Sequence, residues 1–252
     1  FHVVILNGFI EDFVTFLGHC NGIQELLSMG KQQGIRIGCL ILPDIGESSK
    51  GQGYRELEKA ASEAGISLQY ISRGQYIQGK GALLECLHPA SGFESTDANA
   101  YSIALRLTSG SFTALLTGDL EGTGEQALLE ELSARRKISE NRGADSMAGG
   151  LADNMVGRLA DNTAGGPAGI TLLKVAHHGS KNSTSEEVLQ MINPAIAVIS
   201  CGKNNRYGHP HEETLERLSE ADISWFCTKD YGAITVSVDA KGRVAVKGYR
   251  KP

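Results

Sequence analysis

No stretch of this sequence approaches the ~20 consecutive apolar residues that a membrane-spanning helix needs. No two of its five cysteines stand in CxxC spacing. A positive charge excess is also missing: 24 Lys and Arg against 29 Asp and Glu give a net charge of −5. The first absence excludes a helical membrane span. The second argues against a zinc ribbon or a thioredoxin-like site. The third excludes a surface that coats nucleic acid through charge alone, although a local basic groove remains open. The opening FHVVILNGFI is apolar but has no basic leader, so it does not read as a signal peptide. A chain that opens inside an apolar run without methionine is expected to be a piece of a longer protein. Cysteines 20, 39, 86, 201 and 227 lie mostly in apolar runs such as IGCLIL and LLECLH. They are expected to be buried free thiols of a reducing compartment.

What is present fits one α/β domain over residues 1–252, with 41% hydrophobic residues to fill its core. CLILP, SLQYI, ALLECLHP, ITLLKVA and AIAVISCG read as strands, and YSIALRLTSGSFTALLTGD reads as a hairpin turning at SGS. YRELEKAASEAG reads as an amphipathic helix stopped by Gly65, and GTGEQALLEELSARR as another. STSEEVLQMI opens with a Ser/Thr cap and an acidic turn, and PHEETLERLSEAD has Pro210 near its start. ITVSVDAKGRVAVKGY closes the chain as a hairpin. Strands that alternate with helices, with hairpins mixed in, predict α/β layers. Residues 139–169 differ, being rich in Gly, Ala, Asn and Asp with an eight-residue echo (ADSM, ADNM, ADNT). They read as a flexible insertion.

Three motifs carry chemistry. LLTGDLE delivers Asp119 at the end of an apolar strand, just after a glycine. The residue suits a metal-bridging carboxylate and equally a helix cap. LLKVAHHGS places His177 and His178 side by side where another strand ends. Neutral imidazoles are common ligands for zinc, manganese or iron, and also bind loop backbone. SCGKNNRYGHPHEETLERL gathers Lys203, Asn204, Asn205, Arg206, Tyr207, His209 and His211 before a helix. Such donors near a helix N-terminus suit a phosphate backbone.

Taken together, NAYSIALRL, LLTGDLE, LLKVAHHGSKNSTSEEVLQMINPAIAVISCGKNNRYGHPHEETLERL and DYGAITV resemble the carboxy-terminal, metallo-β-lactamase-like domain of the ComEC/Rec2 competence family. The resemblance spans most of residues 82–238. It implies an αββα sandwich and metal-dependent hydrolysis of DNA phosphodiesters, in service of DNA uptake. The implied cofactor is zinc or manganese, and the implied partners are single- or double-stranded DNA and the membrane channel of a longer parent. The domain itself would be soluble and its parent would sit in the bacterial cell membrane. By motif, Asp119, His178 and His209 would be catalytic. The metal ligands would come from His19, His88, Asp119, His177 and His178, with the division between the two adjacent histidines open. Ser180, Lys203, Asn205, Arg206, Tyr207, His209 and His211 would face DNA or phosphate.

The resemblance fails before residue 19. The family's His-x-Asp-x-Asp-His motif survives only at His19, because Val14, Phe16 and Gly18 stand at the other three positions. The family's earlier strands are missing too, so the amino-terminal edge is expected to be incomplete. A frameshift, a pseudogene or a mis-called start would leave such a boundary. A catalytic ion takes three or four first ligands, so metal binding is expected to be weak and hydrolysis impaired. Two other readings stay open: a non-catalytic DNA- or phosphate-binding module of the same fold, and a stand-alone metallo-hydrolase of the same fold.

Overall fold

The computed structural model describes residues 3–7, 13–17, 23, 26–27, 37–79, 81–145, 169–239 and 242–250. CLILP forms strand β3 (Cys39–Pro43), buried along its whole length. Side chains alternate across a strand, so β3 serves two cores. Leu40 and Leu42 pack with Ile23, Leu27 and the Tyr54, Leu57 and Ala61 face of helix α1 (Gln52–Ala64). Cys39 and Ile41 pack the other way, against Leu84, Cys86 and Leu105 of a second sheet. Helix α1 ends where its sequence indicated: Gly65 takes φ +67° and donates its N–H to the carbonyls of Ala61 and Ser62.

The first sheet joins β1 (Val3–Asn7), β2 (Phe13–Leu17), β3 and β4 (Ser67–Ile71) in the order β2-β1-β3-β4. The second has seven strands. Four form an antiparallel meander: β5 (Tyr76–Gln78), β6 (Leu83–His88), β7 (Ala104–Ser109) and β8 (Phe112–Leu116). The other three are β9 (Leu172–Lys174), β10 (Ile196–Ile199) and β11 (Ser224–Cys227), and they continue from β8 in parallel. Helices α2 (Thr123–Asp145), α3 (Glu186–Ile192) and α4 (Glu212–Glu220) cover its outer face. Leu128, Leu132, Val188, Leu189, Ile192 and Leu218 meet Leu115, Leu173, Ala197 and Ile199 there. The layers are therefore α/β/β/α. The closing hairpin, β12 (Ile234–Val238) and β13 (Val244–Gly248), forms a two-stranded sheet that pairs with no other described strand.

Strands β8, β9 and β10 run parallel side by side, so their carboxyl ends share one rim. Each delivers a motif: Asp119 follows β8, the His177–His178 pair follows β9, and the 200–211 loop follows β10. Ligand sites of α/β sheets favour the carboxyl ends of parallel strands.

Two expectations need correction. The segment expected to be a flexible insertion from residue 139 is helical as far as Asp145, because α2 does not stop at Arg136. The rest of the insertion, 146–168, lies outside the described residues. Val14 and Phe16, expected in a ligand loop, are strand residues of β2, opposite Leu6 and Val4 of β1. The run FVTFL is rich in aromatic and β-branched residues, which favour a strand over a loop.

Gly124, at the start of α2, sits against the 99–101 turn. A Cβ there would lie 2.8 Å from Ala100 Cα and still closer to the Ala100 carbonyl oxygen. Alanine in place of an exposed helical glycine gains roughly 0.5–1 kcal/mol, whereas overpacking against fixed backbone costs about 1–3 kcal/mol. The clash wins, so Gly124→Ala should lower stability by about 1–2 kcal/mol in urea unfolding.

Candidate functional site

The site is built around the turn after β8. Gly118 takes φ +68°, and its carbonyl accepts the His177 N–H at 2.8 Å and the Lys174 ammonium at 2.9 Å. Thr117 Oγ1 donates to the Lys174 carbonyl at 2.8 Å. The turn that carries Asp119 is therefore fastened to the segment that carries the histidines. Asp119 is only 3% exposed. Its Oδ1 has no hydrogen-bond partner among the described residues and lies 3.6 Å from His178 Nε2.

His177 and His178 both adopt positive φ, 44° and 57°, followed by Gly179 at 85°. Two consecutive non-glycine residues in left-handed backbone store roughly 1–3 kcal/mol each. The neighbours hold them there. Thr184 Oγ1 accepts the Ala176 N–H, and a Cβ on Gly179 would stand 2.6 Å from Pro210 Cβ. The adjacent loop is locked in turn by Glu125, whose carboxylate accepts the Thr184 and Ser185 N–H groups.

Each imidazole is oriented through Nδ1. His177 donates to Glu121 Oε2 at 2.9 Å, and the other oxygen of Glu121 accepts from Asn99 Nδ2. His178 donates to the Ser200 carbonyl. A carboxylate and a carbonyl can only accept, so in its neutral form each ring carries its lone pair at Nε2. Metal-ligating histidines are anchored in this way by carboxylate or carbonyl partners.

The third loop closes on top. Asn205 Oδ1 accepts the His209 N–H, and its Nδ2 donates to the carbonyls of Gly202 and His209. Tyr207 stacks on His209 at 5.8 Å between ring centres, and His209 lies nearly parallel to His178 at 6.2 Å. His209 also meets His177 at 5.5 Å and His211 at 4.8 Å, both edge-on. Burial, then the neighbouring His211, His177 and His178, push His209 down to about 4, with Asp119 opposing. Burial likewise holds the Lys174 ammonium down to about 8, against the pull of Asp119. His211 Nδ1 accepts the Lys181 N–H, and the His211 N–H donates to the Gly179 carbonyl. The two loops are thereby stitched together.

The structure thus brings together Asp119, His177, His178, His209 and His211. Lys203, Arg206 and Tyr207 lie exposed at the rim, with the Arg206 guanidinium over the Tyr207 ring. Three expected residues stand differently. Ser180 is buried, and its Oγ accepts the Asn182 N–H, so it does not face solvent. The Asn205 amide is fully engaged inside its own loop. His88 is wholly buried, donating Nε2 to the Ala100 carbonyl and packing edge-on against Phe93 at 4.6 Å. Its ring meets none of the rim histidines. His19 lies outside the described residues. Among the described residues, no group of three or more His, Cys, Asp or Glu side chains converges on one point. Sequence reasoning missed Lys174, Glu121 and Glu125. The need of an oriented imidazole for an Nδ1 acceptor would have pointed to Glu121, two residues beyond Asp119.

Burial pushes His88 down to about 4, from an ordinary 6.5. Between those values the unfolded chain binds a proton that the native chain excludes, so stability is present above pH 6.5 and is lost as pH falls toward 4. From pH 7 to pH 5 that loss is about 2 kcal/mol. His88→Gln, which keeps a donor for Ala100, should remove this part of the slope in urea unfolding at the two pH values.

No family model matches the chain. ComE operon protein 3 of Bacillus subtilis is 33% identical over 70% of this chain and 18% of its own length. Competence protein ComA of Neisseria gonorrhoeae is 30% identical over 69% of this chain and 20% of its own. Recombination protein 2 of Haemophilus influenzae is 28% identical over 59% and 14%. The chain therefore spans a fifth or less of these relatives. A solved structure from Parabacteroides distasonis, named as a metal-dependent hydrolase, aligns over 75% of this chain and 74% of its own with TM-score 0.36 and 10% identity. That likeness is too weak to bear on chemistry.

Proposed function

The chain carries a domain of the ComEC/Rec2 family of competence proteins, and on that premise we propose that its rim is a phosphodiester site for DNA, with slow hydrolysis dependent on one divalent ion. The observation that carries the proposal is Asp119 Oδ1: buried, without a hydrogen-bond partner among the described residues, and 3.6 Å from His178 Nε2. Two ligands at ~2.1 Å from one tetrahedral ion stand about 3.4 Å apart. The pair fits zinc, or manganese, with little movement. It supplies two ligands where three or four are usual, which favours a loosely held ion. When bound, such an ion supplies hydroxide near neutral pH and offsets charge on the phosphate.

The chain's own residues have separate tasks. Asp119 and His178 would hold the ion. His177, aimed by Glu121, keeps a lone pair at Nε2 to accept a proton from water. Lys203 and Arg206 would meet phosphate oxygens, and Tyr207, once Arg206 turns from its ring to phosphate, would offer a face on which a base can stack. His209 is neutral at pH 7. An anionic phosphate beside it would raise its proton affinity and make it a donor to the leaving oxygen. In the longer protein, the domain would work beside a membrane channel. No helix among the described residues is long and apolar enough to cross a membrane.

A second reading, a DNA-binding module without catalysis, is favoured by the absence of a third converging ligand among the described residues. Manganese titration and cleavage of a labelled oligonucleotide separate the two. The hydrolase reading expects weak manganese binding and slow cleavage, both lost in Asp119→Asn. Cleavage indifferent to chelator or to Asp119→Asn would overturn it. DNA binding that persists in chelator without any cleavage would select the second. In either case Lys203→Ala and Arg206→Ala should each weaken binding regardless of sequence, and each should lower the slope of log affinity against log salt by about 1.

A further inference from the structure

Beyond the rim, Cys201 and Cys227 place their sulfurs 3.3 Å apart, both as free thiols. Cys227 ends β11 and Cys201 lies two residues past the end of β10, its parallel neighbour. Their backbones are already clamped together. Thr228 Oγ1 accepts the Cys201 N–H and donates to the Cys201 carbonyl, each at 2.9 Å. A disulfide needs ~2.05 Å, so the sulfurs must close by only about 1.3 Å. Cys227 is fully buried while Cys201 is partly exposed. The other described cysteines, Cys39 and Cys86, are buried between the sheets.

We propose that Cys201 and Cys227 are a disulfide-forming pair that locks the base of the 200–211 loop to β11 in an oxidising environment. This stands apart from the phosphodiester reading. The oxidant is a small-molecule disulfide. The Cys201 thiolate attacks one of its sulfurs, forming a mixed disulfide and releasing one thiolate. The Cys227 thiolate then attacks the Cys201 sulfur, breaks the mixed bond and releases the second thiolate. The two leaving thiolates take up the two protons that the cysteines lost, and the two electrons pass to the oxidant. Burial and Cys227 push the Cys201 thiol up to about 12, so the reaction is slow near neutrality and quickens with pH. The bond would fix the segment beside Ser200, whose carbonyl orients His178.

The test takes the reduced full chain, exposes it to oxidised glutathione at about pH 8.5, where more thiol ionises, and maps its cysteines by alkylation and peptide mass. The expected product is monomeric, with the Cys201 and Cys227 peptides joined and lighter by two hydrogens, and Cys39 and Cys86 still alkylated. Its melting temperature should rise by roughly 5–10 °C over the reduced chain, a rise absent in Cys201→Ser. Cys227→Ser should instead retain a glutathione adduct on Cys201. Four results would each overturn the proposal: both thiols still alkylated, Cys201 joined to another cysteine, a lasting adduct in the unaltered chain, or a lowered melting temperature on bond formation.

Discussion

The rim depends on one backbone carbonyl. Gly118 stands at the end of β8, and its oxygen takes both the His177 N–H and the Lys174 ammonium. This joins two strands through the residues that carry their motifs. Without it, the turn bearing Asp119 and the left-handed His177–His178 pair would be free to separate. The left-handed pair has a backbone cost of its own, so it persists only because the surroundings over-determine it. Thr184, Glu125 and the contact of Gly179 with Pro210 all contribute to that restraint.

Parallel strand order does the remaining placement. Since β8, β9 and β10 run side by side in one direction, three sequence motifs far apart in the chain end at one edge. The loop after β10 then folds back over the histidines because Asn205 staples its two ends. That use of Asn205 changes its meaning: it shapes the loop that carries His209 rather than reading a ligand. Polar groups at the rim are graded outward, from a buried carboxylate through the imidazoles to the exposed Lys203 and Arg206. An approaching phosphate would meet cations first and the deep Asp119 last.

Much of this was legible in the sequence, and the rest was hidden for definite reasons. The continuous apolar run CLILP and the stop at Gly65 predicted β3 and α1 because local pattern and tertiary role agree there. The rim was legible because Asp119, His177 and His178 each follow an apolar strand run. The inward bonding of Ser180 and Asn205 was hidden because a polar side chain in a donor-rich motif does not reveal whether its partner is solvent or its own backbone. The partner of His88 was hidden for a related reason: a histidine at a strand end can as easily satisfy a buried carbonyl. Lys174 lies within a strand run whose neighbours are all apolar, so nothing local marked it as the partner of the Gly118 carbonyl. The helical turns to Asp145 were obscured by a Gly- and Asn-rich composition that argues for a loop.

The electrostatics of Asp119 place a constraint of their own on this rim. A buried carboxylate oxygen with no hydrogen-bond donor is costly, and it persists only where something compensates its charge. Lys174 supplies part of that compensation, but its ammonium is directed at the Gly118 carbonyl, and burial has already weakened its hold on its proton. Of the rings around Asp119, His209 is held neutral by burial, and His178 places Nε2 toward the carboxylate. Asp119 Oδ1 and His178 Nε2 lie 3.6 Å apart. On the proposed reading, a divalent ion held by Asp119 and His178 would supply the compensation that this carboxylate lacks.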